Sequence, residues 1–280
     1  MIYNKQILTD LDQSKYEHPF DKAALEKLEK ASFLRKAISW ITENTIERVY
    51  TVQYTGSNLK VSAKNYPRIY DCFLYACKIL DISNIPDLYL QWDYDINACT
   101  IGAKKPIVVI NSGLIDLCDE NEMLFVLGHE LGHIKSNHML YHMMAQLVDI
   151  IIDEIPGAAL LSTGFKYSLC YWDRMSELTA DRAGLLCCQD KDAAVRSFIK
   201  IAGLPINEYK NINCESFIRQ ARDFKMLDLE GMNKFVKLFC IADSSHPWTV
   251  LRAAEILSWE DSGKFQSLLD QYNNNILLNY

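Results

Sequence analysis

Two histidines stand four residues apart at His129 and His133, and a glutamate, Glu130, directly follows the first of them. Side chains at positions i and i+4 lie one above the other on the same face of an α-helix, so a helix here would aim both imidazoles at one point. Such a pair is a typical zinc ligand set, and Glu130 is placed to take a proton from a metal-bound water. A chance match to this short pattern is the alternative. The segment therefore predicts a helix that presents a catalytic metal site.

Two glycines lie in the same helix, at Gly128 and Gly132. Glycine inside a helix costs about 1 kcal/mol relative to alanine, so the pair argues against a purely structural helix. Both glycines are explained if another backbone packs closely against the helix at these positions. We therefore predict a close neighbour there.

A carboxylate could supply the third protein ligand that catalytic zinc sites use. Glu177 and Asp181 stand at i and i+4 in a helix predicted over residues 170–189. One carboxylate could bind the ion while the other accepts the ring N–H of a ligand histidine and so fixes its tautomer. The alternative is a solvated acidic face, paired with Arg174 or Arg182.

The hydrophobic pattern predicts a mostly helical α+β chain with one small mixed sheet. Strand-like runs occur at residues 88–92, 98–102 and 107–111, so we expect three or four strands. Asp119 and Glu122 form a capping-box pattern where the histidine helix begins. A loop is predicted around residues 156–167, which include two glycines. The other predicted helices cover residues 21–48, 67–80, 192–202, 214–226, 229–242, 247–259 and 263–276.

Composition argues against several classes of function. The chain has 29 Lys and Arg against 36 Asp and Glu, a net charge of −7, so we expect no nucleic-acid partner. Its nine cysteines include no CxxC pair, which predicts neither a disulfide framework nor a zinc ribbon and favours a cytoplasmic protein. The first residues do not predict a signal peptide.

The motifs resemble those of a known family of zinc metallopeptidases, the gluzincins of the HtpX and CAAX-prenyl-protease type. The main matches are HELGHIKSNH at residues 129–138, SELTADRAG at residues 176–184, and His246-Pro247 followed by Arg252. Shorter matches at residues 18–21, 86–89, 96–98 and 107–114 extend the resemblance over residues 17–257. The resemblance implies a zincin-like core whose sheet has an edge strand before the histidine helix.

The resemblance also implies roles for the residues of the metal site. His129, His133 and Glu177 would be the ligands of one zinc ion per chain. Glu130 would be the general base, and Asp181 would accept a hydrogen bond from a ligand histidine.

Two further groups have roles implied by the resemblance. His246 would stabilise the transition state, with Arg252 as a helper or as a contact for a substrate carboxylate. For His246 the alternative is a helix cap or a surface position. Asn97, Ala98 and Cys99 match a segment that forms the edge strand for an extended substrate, which gains backbone hydrogen bonds regardless of its sequence. An ordinary edge strand is the alternative.

A second pair of histidines, His138 and His142, also has the i,i+4 spacing. A second metal site is one interpretation. We expect instead that they continue the histidine helix as exposed or interfacial residues.

The chain departs from membrane members of the family just after the histidine helix. Where those proteins have a transmembrane span, residues 139–165 contain Asp149, Asp153, Glu154 and Pro156. Each acid opposes insertion by roughly 2.5–3.5 kcal/mol, so we expect no transmembrane span and at most peripheral membrane contact. An amphipathic or buried helical hairpin at residues 147–161 is the expected structure.

Together these features predict a zinc metalloendopeptidase that hydrolyses peptides or unfolded proteins through a zinc-bound water and Glu130. The alternative is a peptide-binding or chaperone-like module with a structural zinc. Glu130 disfavours that alternative, because a structural zinc needs no general base. We predict one metallopeptidase unit over residues 1–280. Its parts are N-terminal helices (1–85), the sheet with the two metal-binding helices (86–190) and C-terminal helices (191–280).

Overall fold

The computed structural model describes residues 4–29, 47–145, 159–226 and 248–278, and most of them are helical. The helices are α1 (Pro19–Glu29), α2 (Glu47–Ser57), α3 (Pro67–Ile79), α4 (Ser112–Leu117), α5 (Glu120–Lys135), α6 (Ala159–Cys188), α7 (Lys191–Ile201), α8 (Cys214–Met226), α9 (Thr249–Asp261) and α10 (Lys264–Leu278). Short 3-10 helices lie at Gln13–Lys15 and Ile206–Asn211. With one small sheet, this architecture confirms the predicted α+β class.

The strands β1 (Leu59–Lys60), β2 (Asp87–Gln91), β3 (Ala98–Ile101) and β4 (Ile107–Asn111) form a mixed sheet in the order β1-β2-β4-β3. Strand β4 pairs in parallel with β2 and antiparallel with β3. All five residues of β4 are buried, as expected for an inner strand covered on both faces. Strand β3 therefore lies at one edge of the sheet, which confirms the edge strand implied before the histidine helix.

The histidine pair lies on α5, and a capping box fixes the start of this helix. The Asp119 carboxylate accepts a hydrogen bond of 2.9 Å from the backbone N–H of Glu122, and the Glu122 carboxylate accepts one of 2.8 Å from the backbone N–H of Asp119. Glu122 is fully buried and pairs with Arg196 at 3.0 Å and with Lys200 at 2.6 Å. The predicted capping box thus also ties α5 to α7.

Helix α6 is the close neighbour that the glycines of α5 predicted. A Cβ on Gly128 would overlap the side chain of Cys187, and a Cβ on Gly132 would lie 2.6 Å from Cβ of Ala183. On α6, a Cβ added to Gly184 would lie 2.7 Å from a backbone oxygen of α5. Only glycine allows this approach of the two backbones.

Some predicted elements differ in extent or were missed. The predicted loop at residues 156–167 is wrong from residue 159 onward, because α6 begins at Ala159. The cost of Gly164 in a helix, about 1 kcal/mol, is small enough for tertiary packing to override. Strand β1 and helix α4 were missed because elements of two and six residues carry little periodicity. Residues 30–46 of the helix predicted at residues 21–48 lie outside the described residues, as does the helix predicted at residues 229–242. Helix α2 (Glu47–Ser57) was not predicted beyond residue 48.

None of the helices in the described ranges combines the length and apolar character that crossing a membrane requires. The hairpin predicted at residues 147–161 lies almost entirely outside those ranges.

Candidate metal centre

Helices α5 and α6 bring together three side chains that could hold a metal ion. Nε2 of His129 lies 3.1 Å from Nε2 of His133 and 3.4 Å from Oε2 of Glu177. Nε2 of His133 lies 3.3 Å from Oε1 of Glu177. One ligand atom from each residue falls within 4.8 Å of the others, and all three residues are buried. The helical spacing places the two imidazoles on one face of α5, and Glu177 reaches the same point from α6.

This donor set fits zinc. Two imidazole nitrogens and one carboxylate oxygen are one of the ligand sets that catalytic zinc sites use, with a fourth position left open. Burial lowers the pKa of His133 well below its usual range, so its ring stays neutral and can bind a metal. Burial alone would lower the pKa of His129, but the carboxylates of Glu177 and Asp181 raise it to about 10. A metal that binds Nε2 of His129 therefore replaces a proton.

Asp181 orients one of these histidines. Its Oδ1 accepts a hydrogen bond of 3.0 Å from Nδ1 of His129. Arg252 of α9 donates to both oxygens of Asp181, from Nε at 2.8 Å and from Nη2 at 2.6 Å. Burial would raise the pKa of Asp181, but the Arg252 guanidinium holds it below its usual range. Arg252 was predicted to help the reaction or to contact a substrate carboxylate, and two of its three nitrogens are committed to Asp181.

The alternative of a solvated acidic face is excluded. Asp181 is fully buried, and Glu177 is 7% exposed. Arg174 and Arg182, the basic partners considered for that alternative, donate to backbone carbonyl oxygens.

Glu130 lies beside the three metal-binding side chains and is buried. Its Oε2 accepts a hydrogen bond of 2.8 Å from Oγ1 of Thr100, a residue of β3. Burial raises the pKa of Glu130, an effect that His129 and the Thr100 hydroxyl oppose. A carboxylate with a raised pKa is a stronger proton acceptor, which suits a general base.

A cavity of about 200 Å³ borders both the metal-binding residues and the edge strand. Asn97, Ala98 and Cys99, the segment predicted to bind substrate, form part of its wall. Burial raises the pKa of the Cys99 thiol to about 12, so this thiol is neutral. The carbonyl oxygen of Asn97 accepts a hydrogen bond of 3.1 Å from the backbone N–H of Asn111, which fixes the segment to β4.

His138 does not continue the histidine helix, contrary to the sequence prediction. Helix α5 ends before a turn at Asn137, whose φ is 55°, and helical structure resumes at residue 139. The turn brings Nδ1 of His138 to 3.1 Å from Nδ1 of His133. His138 is 3% exposed, so of the two predicted positions, exposed and interfacial, the exposed one is wrong.

The ring nitrogens of the second histidine pair already have protein partners. Nε2 of His138 faces Asp21 at 3.2 Å, while His142 contacts Asp173 at 2.7 Å and Ser176 at 3.1 Å. His138 and His142 lie close enough to His133 for the three to hold a metal. Their existing partners argue against that second site.

His246 lies outside the described residues, so its role in the transition state stays a prediction. Three contacts at the centre were not predicted from the sequence: those of Thr100 with Glu130, of Asp21 with His138 and of His138 with His133. Asp21 and His138 fall inside motifs that matched the family, which is the signal that could have found these contacts.

Residues 78–260 match the family described as Peptidase family M48. Over 270 residues, 95% of this chain and 78% of the relative, the sequence is 30% identical to the plastoglobule-localized metallopeptidase 48, chloroplastic, of Arabidopsis thaliana. A protease HtpX homolog of Fusobacterium nucleatum is 28% identical over 36% of this chain and 33% of its own length. Protease HtpX homolog 2 of Methanosarcina acetivorans is 23% identical over 72% of this chain and 75% of its own length. No solved structure matches the chain.

Proposed function

The chain belongs to peptidase family M48, and from this membership we propose that it is a zinc-dependent endopeptidase that cleaves peptides and unfolded proteins. Membership makes the protein a metallopeptidase, a hydrolase of peptide bonds. The proposal of a catalytic zinc site rests mainly on the position of Glu130. This carboxylate is buried beside a three-ligand metal site and lines the same cavity. A structural zinc site is closed by four protein ligands and needs no general base.

We assign His129, His133 and Glu177 as the zinc ligands. When bound, zinc supplies a Lewis acid that lowers the pKa of water and polarises the scissile carbonyl. Asp181 holds the ring of His129 by accepting its Nδ1–H, and Arg252 holds the carboxylate of Asp181 in place.

Glu130 carries the proton transfers in this mechanism. Its carboxylate takes a proton from the attacking water as the water oxygen bonds to the carbonyl carbon. It then gives that proton to the amide nitrogen as the C–N bond breaks, so the products are a carboxylic acid and an amine. The hydrogen bond from Thr100 restricts rotation of the carboxylate during both steps.

The edge strand β3 is the proposed docking site for the substrate. Asn97, Ala98 and Cys99 line the cavity at the edge of the described sheet. A strand added there gains main-chain hydrogen bonds whatever its sequence, which suits an enzyme with many substrates. The cavity of about 200 Å³ has room for a few residues of a substrate, which fits a segment of peptide or unfolded chain docked along the strand.

We propose that the enzyme acts in the cytoplasm, with at most peripheral membrane contact and no nucleic-acid partner. The cysteine content and the net charge of −7 support this location and this choice of partners. The name of the Arabidopsis relative places that protein at chloroplast plastoglobules. Carbonate extraction tests the proposal, because recovery only in a carbonate-resistant membrane pellet contradicts it.

The catalytic proposal is tested by replacing Glu130. Glu130→Gln keeps the shape of the side chain but cannot accept a proton, so it should retain zinc and lose turnover of unfolded casein. Glu120→Gln, at a half-exposed position on the same helix, is the matched control and should keep wild-type turnover. In cells, new protein N-termini should form with wild type and not with Glu130→Gln.

Two outcomes would count against this assignment. Wild-type turnover by Glu130→Gln at equal zinc content would remove Glu130 as the base. Binding of unfolded casein without any cleavage by the wild-type protein would favour the peptide-binding module.

A further inference from the structure

A chain of hydrogen bonds connects His133 to the N-terminal helix α1. Nδ1 of His133 lies 3.1 Å from Nδ1 of His138, and Nε2 of His138 lies 3.2 Å from Oδ2 of Asp21. The same carboxylate oxygen accepts a hydrogen bond of 2.6 Å from Oγ1 of Thr179. All four residues are buried, so bulk water does not compete for these groups.

The direction of each hydrogen bond in this series follows from its two ends, Nε2 of His133 and the carboxylate of Asp21. A metal at Nε2 of His133 uses that lone pair, so the ring proton of His133 lies on Nδ1 and is donated to His138. His138 therefore accepts at Nδ1 and carries its own proton on Nε2. That proton faces Asp21, and an ionised carboxylate can only accept. One arrangement of protons satisfies all these nitrogens, with both imidazoles neutral.

His129 has the same kind of support in a shorter form. Its Nδ1 faces the carboxylate of Asp181 directly, at 3.0 Å. Partners of this kind orient ligand histidines, and their loss costs about 10- to 100-fold in metal affinity or activity. At His133 the imidazole of His138 stands between the ligand and the carboxylate.

We propose that His138 and Asp21 are positioning residues of the metal centre. His138 fixes the tautomer and the orientation of His133, and Asp21 fixes those of His138. This inference rests on the metal site proposed above.

The proposal makes α1 a component of the metal centre. Helix α1 lies outside residues 78–260, the part of the chain that matches the family. Thr179 of α6 holds the start of α1 twice, by its hydrogen bond to Asp21 and by accepting the backbone N–H of His18 at 3.0 Å. These contacts place the Asp21 carboxylate against His138.

The test compares zinc dissociation constants of purified full-length variants, measured by competition with a chromogenic chelator. His138→Leu removes the acceptor for His133 and should weaken zinc binding about 10- to 100-fold. Asn places an amide oxygen near the position of Nδ1 of histidine, so His138→Asn should recover most of the affinity. Asp21→Ala leaves the tautomer of His138 unfixed and should weaken binding about 10-fold.

A control on the same segment separates positioning from packing. His18 contacts Glu255 at 3.2 Å and takes no side-chain part in the chain of hydrogen bonds. His18→Ala should lower the melting temperature and leave the zinc dissociation constant unchanged. If Asp21 only held α1 in place, Asp21→Ala and His18→Ala would have the same zinc affinity at comparable loss of melting temperature.

Nitrogen-15 NMR of the zinc-loaded protein supplies a second readout. It should show the ring proton of His133 on Nδ1 and that of His138 on Nε2. A His138 proton on Nδ1, or wild-type zinc affinity in His138→Leu, overturns the positioning role while the zinc site stands. Failure of the wild-type protein to bind zinc overturns both this proposal and the proposed function.

Discussion

Oγ1 of Thr100 donates a hydrogen bond of 2.8 Å to Oε2 of Glu130, and this bond joins the edge strand of the sheet to the histidine helix. Strand β3 is the proposed docking site for the substrate, and Glu130 is the proposed base. The position of the substrate and the position of the base are therefore set by the same strand.

Thr100→Val tests the link between strand and base. Valine keeps the shape of threonine and removes the hydroxyl. A hydrogen bond to a charged group contributes about 1.5–3 kcal/mol, so kcat/KM on unfolded casein should fall about 10- to 100-fold at unchanged zinc content. Thr51→Val removes a hydroxyl that donates to a backbone carbonyl of α2 and is the matched control. Equal kcat/KM for the two variants would show that the link is unimportant.

The metal stoichiometry follows from the donor set. Two imidazoles and one carboxylate should hold about one zinc per chain. Glu177→Ala should lose most of this zinc on dialysis, whereas Glu130→Gln and the exposed control Glu215→Ala should keep it. Elemental analysis gives the zinc content, and full retention by Glu177→Ala would mean that the third ligand is wrongly assigned.

Arg252 and Asp181 form a buried ion pair that should matter for stability. Removing one member of such a pair costs about 3–5 kcal/mol. Without Arg252 the buried Asp181 carboxylate would keep, among the described residues, only His129 as a charged or polar partner, at its Oδ1. Arg252→Met should therefore lower the free energy of unfolding by about that amount in urea titrations. Adding Asp181→Asn should restore part of it, and strictly additive losses would argue that the two side chains are not coupled.

Gly128→Ala tests the contact between α5 and α6. Alanine favours a helix by about 1 kcal/mol, but its Cβ would overlap Cys187 and overpacking costs about 1–3 kcal/mol. The variant should be less stable than wild type in urea denaturation. Gly56→Ala is the control, because a Cβ at Gly56 has no neighbour within 4 Å, and it should be neutral or stabilising. Stabilisation by Gly128→Ala would show that the backbones are not in contact.

Glu255 should make stability depend on acid pH. Burial would raise its pKa, but the hydrogen bond from His18 and the charge of Lys225 lower it overall. A carboxyl with a lower pKa in the folded state stabilises the fold above its unfolded pKa, about 4.3, and loses that effect as pH falls through the folded value. The free energy of unfolding should fall less between pH 5 and pH 3, roughly, in Glu255→Gln than in wild type. Parallel curves would exclude this contribution.

The helix-borne part of the centre could be predicted from sequence because helical spacing fixes geometry locally. The i,i+4 spacing predicted that His129 and His133 share one face of a helix and that Glu177 and Asp181 share one face of another. In the structure these two faces are in contact. Gly128 and Gly132 likewise predicted a close neighbour, and α6 is that neighbour.

The remaining contacts depend on how distant elements pack. Asp21 contacts His138 only because α1 packs against α6. The spacing of residues within α1 or within α6 does not predict that the two helices pack together. The turn at Asn137 depends on one residue with positive φ, which the helical periodicity around it does not reveal. Thr100 meets Glu130 because the sheet edge lies against α5, again a property of the assembled fold.

The glycine contact between α5 and α6 also determines how the metal centre fails on heating. At these glycines the backbones of α5 and α6 are in direct contact. Because no side chain separates them there, changes of side-chain rotamer on heating cannot gradually increase the distance between the two helices. That distance changes only when the two helices separate. We therefore expect thermal release of zinc to accompany the separation of α5 from α6 rather than a gradual loosening of the centre.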